Sequence, residues 1–416
     1  MAIPRRAGPL SVERLPGPEA LAAIVAEWNL LEGETAPRTP FSSSTYVLPW
    51  WQHFARRRRM LFRDEFFCLI VRSDGGRLVA VAPLMRTSAP GIGAPLLRIV
   101  QFFGSDPDLT EIRGLICRPE DEPPVVNALV EYFLSSPGEW DVFRWTGLRS
   151  AVDTYCAPTG VFKATRELPD YIVELPGSWE NLHEQLSVNM RKNLRKAYQI
   201  LARDGFAFAL RVTERPEDVA AAMARFFTLH AVRSEAADMI FHSNRFAQPN
   251  VRAFFMEYLH GVAERGELRI FELEIGGVVV ASRIALLLGS DLYMHLAGYD
   301  PAWKTYSVMT VLVAEMFKWA LAHRVERINL SSGQDQSKMR WKPHEVWFRD
   351  FVQVSPALRA RAAFGLFRAY EALGGARLKA TVLTRGREQP VDRSQPGVAD
   401  PRGRLRKPAV VLKAAE

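Results

Sequence analysis

Cysteine is scarce in this chain. Cys68, Cys117 and Cys156 are spread over 416 positions without paired spacing, which excludes a disulfide framework and a cysteine zinc site. Each reads as a small buried hydrophobe, and no metal is expected. Long apolar runs are missing as well. No stretch of about eighteen apolar residues occurs, so nothing reads as a membrane-spanning helix. The segment from Met1 to Pro18 has arginines but no apolar core of signal-peptide type. No Cys–His or Ser–His pairing argues for a covalent enzyme intermediate. No recognisable nucleic-acid-reading module accompanies the basic charge. The expectation is a cytoplasmic protein, free or peripheral on the inner face of the membrane.

What is present is size, apolar content and positive charge. A chain of this length exceeds one typical domain, and 48% hydrophobic content supports sizeable cores. Part of the formal charge of +8 sits after Leu373, where ten Lys or Arg from Arg377 to Lys413 face Glu388, Asp392, Asp400 and Glu416. That tail is rich in Pro, Gly and Ser and reads as disordered. Before it, Leu358, Ala362, Leu366, Tyr370 and Leu373 fall on one face of a helix from Ala357 to Leu373, with Arg359, Arg361 and Arg368 off that face. A second basic run, Arg56-Arg57-Arg58-Arg59, follows Trp50, Trp51 and Phe54. Either these are solvated surfaces plus a helix packed on the core, or they form a contact for an anionic membrane surface.

The segment from Glu267 to Trp341 has the clearest order. Apolar and charged residues alternate from Leu268 to Ile275, as in a half-buried strand. Gly276-Gly277 is a two-residue hairpin signal. Val278 to Leu288 is almost wholly apolar, as in a central strand. Asp291 to Gly298 is a third strand, which ends before Pro301. Ser307 is placed to cap a helix through Val311, Ala314, Phe317 and Leu321 to His323. Val325 to Leu330 is a fourth strand, returned by helix crossover beside its predecessor. A compact segment, Ser331 to Trp341, follows. Upstream, Met190, Leu194, Ala197 and Leu201 form the apolar stripe of a basic helix from Ser187 to Leu201. His230 and Arg233 share a helix face. Glu272 and Glu274 share a strand face, either as solvent-facing carboxylates or as a base.

In the first half, a helix is expected from Pro18 to Leu31, with strands at Phe66–Arg72, Leu78–Met85, Leu97–Phe103, Glu111–Ile116 and Asp141–Trp145. A second helix is expected from Pro123 to Leu134, and Ser88 to Pro95 reads as a loop.

Several of these pieces resemble the CelD/BcsL-type acyltransferases, a branch of the GNAT superfamily with two GNAT-like halves, related to the FemABX aminoacyltransferases. They are Phe41 to Trp51, Leu78 to Leu84, the basic helix, Leu229-His230 with Arg233, Gly298-Tyr299-Asp300-Pro301, and Gly333, Asp335, Lys338 and Trp341. The resemblance spans all but the tails. The chain has Ser307-Val308-Met309 where that family often has Ser-Pro-Gly, and Ser337 where it often has Tyr. The implied fold is α/β, with tandem GNAT-like domains whose mixed central sheets are flanked by helices. The implied layout is a degenerate N-terminal half at 1–165, an acyltransferase half at 166–375 and a basic tail at 376–416.

Acyl transfer to an amine needs the donor's diphosphate held, the thioester carbonyl polarised, a proton removed and the thiolate stabilised. The resemblance puts the diphosphate at the helix start after Asp300, among Trp303, Lys304, Thr305, Tyr306, Ser307, Val308 and Met309, where amides and helix dipole converge. No Gly-rich fingerprint marks that turn. The pantetheine arm of an acyl-CoA would lie along Asp291 to Gly298. There His295 is either a base for the ammonium or a packed strand histidine. Tyr299 or Tyr306 would protonate the thiolate, or else plug a strand end. Gly333 permits an unusual turn, from which Asp335 would orient or deprotonate the amine. Lys338 and Arg340 would bind an anionic group and Trp341 would wall the pocket. The alternative is a structural turn closed by an Asp335–Lys338 pair. Arg191, Asn193, His230 and Arg233 are candidates for substrate contact.

The expected function is acyl-CoA-dependent N-acyltransfer by direct attack, in envelope lipid or polysaccharide biosynthesis, with a sphingoid-type amino lipid slightly favoured over a sugar amine. Two rivals stand beside it. One is a FemABX-like transferase using aminoacyl-tRNA, the only role in which nucleic acid enters. The other is a non-catalytic acyl-CoA or lipid-binding accessory protein.

Overall fold

The computed structural model describes residues 10–56, 60–106, 109–150, 162–235 and 244–372. The expectations for the basic tail, for Cys156 and for Arg57 to Arg59 lie outside these residues. The strands of the N-terminal half are β1 (Leu10–Arg14), β2 (Arg63–Phe66), β3 (Leu69–Ser73), β4 (Leu78–Ala82), β5 (Leu84–Ala89), β6 (Leu97–Phe102), β7 (Ile116–Cys117) and β8 (Val142–Leu148). Those that follow are β9 (Phe162–Glu174), β10 (Phe208–Thr213), β11 (Leu268–Ile275), β12 (Val278–Leu288), β13 (Asp291–Tyr299), β14 (Arg327–Ser332) and β15 (His344–Val354).

One long sheet runs β10-β11-β12-β13-β14-β9-β15-β8-β6-β5-β2, and a small one runs β1-β3-β4-β7. The long sheet is quasi-symmetric about β9 and β15. On one side β13 runs parallel to β14 across the helix Val308–Ala322, and on the other β6 runs parallel to β8 across the helix Glu122–Ser135. Antiparallel strands precede each crossover. This is the tandem α/β arrangement expected, with helices on both faces.

The C-terminal elements form as their local patterns dictate. Gly276 and Gly277 take φ of 59° and 80° in the hairpin between β11 and β12, a conformation that glycine reaches without steric cost. Ser187 caps the helix Val188–Arg203, and Met190, Leu194, Ala197 and Leu201 are all buried. One core packs the helices Pro216–Glu235 and Pro249–Glu264 against the sheet and against the helix Ser44–Phe54 of the other half. Tyr46 meets Phe254 and Tyr258 edge-on at 5.2 and 4.9 Å, which ties the halves together.

Several expectations are corrected. The first helix breaks at Ile24 into Pro18–Ala23 and Val25–Gly33. The strand at Leu78–Met85 breaks at Pro83, which lacks a donor for the ladder, so that β4 and β5 join different sheets. Of Glu111–Ile116 only the last residue joins β7. Gly114 presses on the carbonyl of Thr146 so closely that an added Cβ would stand 2.4 Å away, and the chain before it turns inward. Glu272 is neither solvent-facing nor a spare base: it is buried against Arg225 at 2.6 Å. Glu274 pairs with Arg211 at 2.7 Å. The helix Leu358–Ala372 buries Ala360 but leaves Leu358 and Leu366 exposed, so its apolar face does not pack on the core.

Candidate active site

β13 and β14 pair only from Asp291–Tyr293 to Arg327–Asn329 and then diverge. Beyond Tyr293 an opening in the ladder therefore separates β13 from β14, and that edge of β13 has no strand partner among the described residues. On its other edge β13 pairs Leu296 with Ile284 and Met294 with Ala285. His295 between them is the extra residue of a β-bulge, which re-aims a side chain. Its imidazole is nearly fully buried, ringed by Phe41 at 5.3 Å and Phe255 at 6.1 Å.

Glu111, from the N-terminal half, spans the opening. Its Oε2 accepts from the Tyr293 hydroxyl on β13 at 2.8 Å, and from the Ser332 amide and hydroxyl on β14 at 3.1 and 3.3 Å. Its Oε1 stands 3.5 Å from His295 Nδ1. Burial works against ionisation, yet the contacts with His295 and Tyr293 hold the carboxyl below the ordinary glutamate range. Both ring nitrogens of His295 are buried without a hydrogen bond, Nδ1 facing Glu111 across that 3.5 Å and Nε2 facing no polar partner among the described residues. An ionised carboxylate behind one ring nitrogen and a bare second nitrogen are the elements of a general-base dyad.

A second carboxyl lies beside the first. Asp170 on β9 is fully buried and accepts from Asn329 Nδ2 at 2.6 Å, while its Oδ1 has no partner. Burial pushes it up to about 7, against the Asn329 hydrogen bond and with the Glu111 charge. Lys338 donates to the carbonyl and hydroxyl of Ser331 at 3.1 and 3.0 Å and to the Ser332 carbonyl. It clamps the end of β14, where Ser331 has a φ of 68°.

These features point to a named fold family. Residues 188–343 match the family model described as an acetyltransferase (GNAT) domain. This part of the chain is similar to a GNAT domain. The crystal structure of FemX is similar over 82% of this chain and 96% of that one, with a TM-score of 0.53 and 10% identity, which shows a shared fold. Also similar are a tandem GNAT protein from the clavulanic acid biosynthesis pathway (TM-score 0.44, 12% identity, 84% of this chain and 100% of that one) and the C-terminal domain of a putative lysylphosphatidylglycerol synthetase from Agrobacterium fabrum (TM-score 0.46, 14% identity, 84% and 95%). No curated protein matches the chain by sequence.

The start of the helix Val308–Ala322 differs from expectation. Asp300 accepts from the Ala302 amide and begins a 3-10 helix, Pro301–Tyr306. Trp303 and Ser307 donate their amides to Asp300 and Lys304 within that turn. Ser307 does not cap with its side chain: it sits in the left-handed region at φ 52°, and its carbonyl accepts from Thr310 and Val311. The Val308 and Met309 amides precede the first intrahelical acceptor and are the donors at the helix start. Lys304, Thr305 and Ser307 are exposed beside them, and Tyr306 donates to Asp204 at 3.1 Å.

At the far end of β13, Arg233 donates to the Ala297 carbonyl at 3.4 Å and lies 5.3 Å over the Tyr299 ring. Arg283 pairs with Ala297 across the ladder, and burial lowers its pKa to about 10. Asp335 does not pair with Lys338. Its carboxylate accepts from the Ser337 amide and caps the short helix Gln336–Met339. Although burial pushes Asp335 up, that hydrogen bond holds it below the usual range. Gly333 and Arg340 are exposed. Trp341 is a core residue rather than a pocket wall, stacked on Phe317 at 4.2 Å.

Arg191 and Asn193 are not brought to this site. Tyr198 donates to Glu315 and Tyr306 to Asp204, so Val188–Arg203 runs antiparallel to Val308–Ala322. At 1.5 Å per residue, Arg191 lies about 20 Å from the donor end of that helix. His230 packs edge-on against Phe246 at 4.7 Å, with its backbone against Gly298. Glu111, Asp170 and Arg283 escaped the sequence reading. The apolar pattern around Glu111 suggested a strand, and nothing in its neighbours marked the carboxylate.

A small pocket adjoins Phe41, and neither Glu111 nor His295 lines it. Thr35, Thr39, Phe41, Ile112, Gly147 and Phe348 contribute to its wall. The Phe41 ring lies between it and His295.

Proposed function

We propose that this protein is an acyl-CoA-dependent N-acyltransferase of the CelD/BcsL type, which transfers an acyl group to an amine by direct attack. The observation that carries the proposal is the opening between β13 and β14 with Glu111 and His295 at its base. The thioester supplies the activated carbonyl. Val308 and Met309 at the helix start bind its diphosphate. The unpaired amides of β13 past Tyr293 receive the carbonyl oxygen as charge develops on it. His295 Nε2 takes the proton from the acceptor ammonium, and Glu111 stabilises the resulting imidazolium through Nδ1. Tyr299, between Arg233 and the strand end, is the acid for the departing thiolate. Arg233 and Arg283 hold an anionic part of either substrate. Asp335 and Lys338 shape the turn behind the site and act by positioning. The acceptor is an amine of envelope lipid or polysaccharide synthesis, with a sphingoid-type base preferred.

The test is free CoA release from acetyl-, C8- and C16-CoA against a sphingoid base, a hexosamine and a diamine. Amine-dependent release should fall roughly 10²–10⁴-fold in His295→Gln and in Glu111→Gln, with acyl-CoA binding retained. Release that both variants preserve would sink the dyad. Silence across all donors despite binding would sink the enzymatic reading.

A further inference from the structure

Along the strand ends before β2, between β5 and β6 and after β15, the N-terminal half presents an apolar edge that no other element among the described residues covers. Met60, Leu61, Ile92, Leu96 and Leu358 are between 56% and 85% exposed. They come from three separate stretches of chain, and hydrogen bonds hold these stretches together. The Gly91 amide donates to the Met60 carbonyl at 2.8 Å, bringing Ile92 beside Met60 and Leu61. Arg359 donates to the carbonyls of Pro95 and Leu96 at 2.6 and 3.3 Å, bringing Leu358 beside Leu96. Leu366, exposed two turns along the same helix, extends the strip. Single exposed leucines are ordinary, whereas a fixed cluster of this kind marks a contact surface.

Charge says what it contacts. Arg98 and Arg359 share the one carboxylate of Asp141, at 3.4 and 3.0 Å. Arg14, Arg63 and Arg86 share Glu65 and Glu139. Each node thus keeps one uncompensated positive charge. Arg56 is neutralised by Asp64 at 2.8 Å, and exposed Arg361 adds another cation. Apolar tips inside a cationic rim suit an interface that is greasy below and anionic above. We propose that this edge docks on the surface of an anionic phospholipid bilayer, with Met60, Leu61, Ile92, Leu96 and Leu358 entering the headgroup region and the arginines meeting lipid phosphates. Glu111 and His295 take no part in this contact, so it stands apart from the acyltransfer reading.

The test is co-sedimentation of the full chain with phosphatidylcholine vesicles, with and without about 30 mol% phosphatidylglycerol. The native protein should bind the anionic vesicles at least tenfold more tightly than the neutral ones. The triple variant Leu61→Ser, Leu96→Ser, Leu358→Ser removes only exposed side chains, and should lose at least tenfold of that affinity while keeping its unfolding midpoint. Arg361→Gln should weaken binding less and reduce its salt dependence. Three results would overturn the proposal. The native chain could bind neither vesicle. The triple variant could bind as the native chain does, leaving charge elsewhere as the cause. Or the native chain could be dimeric and the variant monomeric without any vesicle binding, which would make a second copy the occupant.

Discussion

Replacing Asp170 by Asn should make the protein more stable as the pH rises, relative to the native chain. Asp170 is fully buried between β14 and β15, with one oxygen on Asn329 and the other unpartnered. Its pKa is raised from 3.8 to about 7, chiefly by burial. The folded state therefore binds this proton more tightly than the unfolded chain does. The associated stability is complete below about pH 4 and drains away as the pH climbs through 7. Between about pH 5 and pH 8 the loss comes to about 2–3 kcal/mol, at about 1.4 kcal/mol per unit of pKa difference. The carboxamide introduced by Asp170→Asn would accept from Asn329 in the same way without ever ionising. The assay is urea unfolding of both proteins across this range, read as the difference between them, in which all other titrating groups cancel to first order. The difference should grow by that amount from the acid end to the alkaline end. A flat difference would refute the argument, because it would mean that Asp170 has an ordinary proton affinity in the folded protein.

Two further substitutions probe the backbone of the site. In Gly298→Ala the new methyl would stand 3.1 Å from the His230 amide nitrogen and 3.3 Å from Leu229 Cβ. The helix Pro216–Glu235 must then retreat, at a cost of about 1–3 kcal/mol in thermal or urea unfolding. A neutral result would show that this helix does not bear on β13. Ser307→Gly should stabilise the chain by about 0.5–1 kcal/mol, since Ser307 holds φ 52° with no side-chain cap to offset the strain. A loss of stability would mean that the left-handed turn is not where the strain resides.

Local chemistry decided much of the second half. The bounds of β11 and β12 follow from alternation, an apolar run and a Gly-Gly turn, each a property of neighbouring residues. The buried stripe of Val188–Arg203 follows from 3.6-residue spacing in the same way. The return of β14 beside β13 needed only the handedness of a helix crossover. Where local signals conflicted, the sequence misled: Pro83 split a strand, and Ser307 stands at the cap position in a left-handed turn without capping through its side chain.

The site itself was decided in three dimensions. His295 was recognisable as a strand histidine, but the bulge that re-aims it depends on how β12 and β13 pair. The carboxylate behind it belongs to Glu111, which is 182 residues from Tyr293 in the chain. Asp170 and Asn329 are 159 apart. Periodicity reports which face of an element is buried, and says nothing about which distant element covers it. A carboxylate in an aperiodic loop carries no local mark of its partner. Folding two similar halves onto one sheet brought a loop of the first into the open strand pair of the second, and only that tertiary arrangement made a dyad of Glu111 and His295.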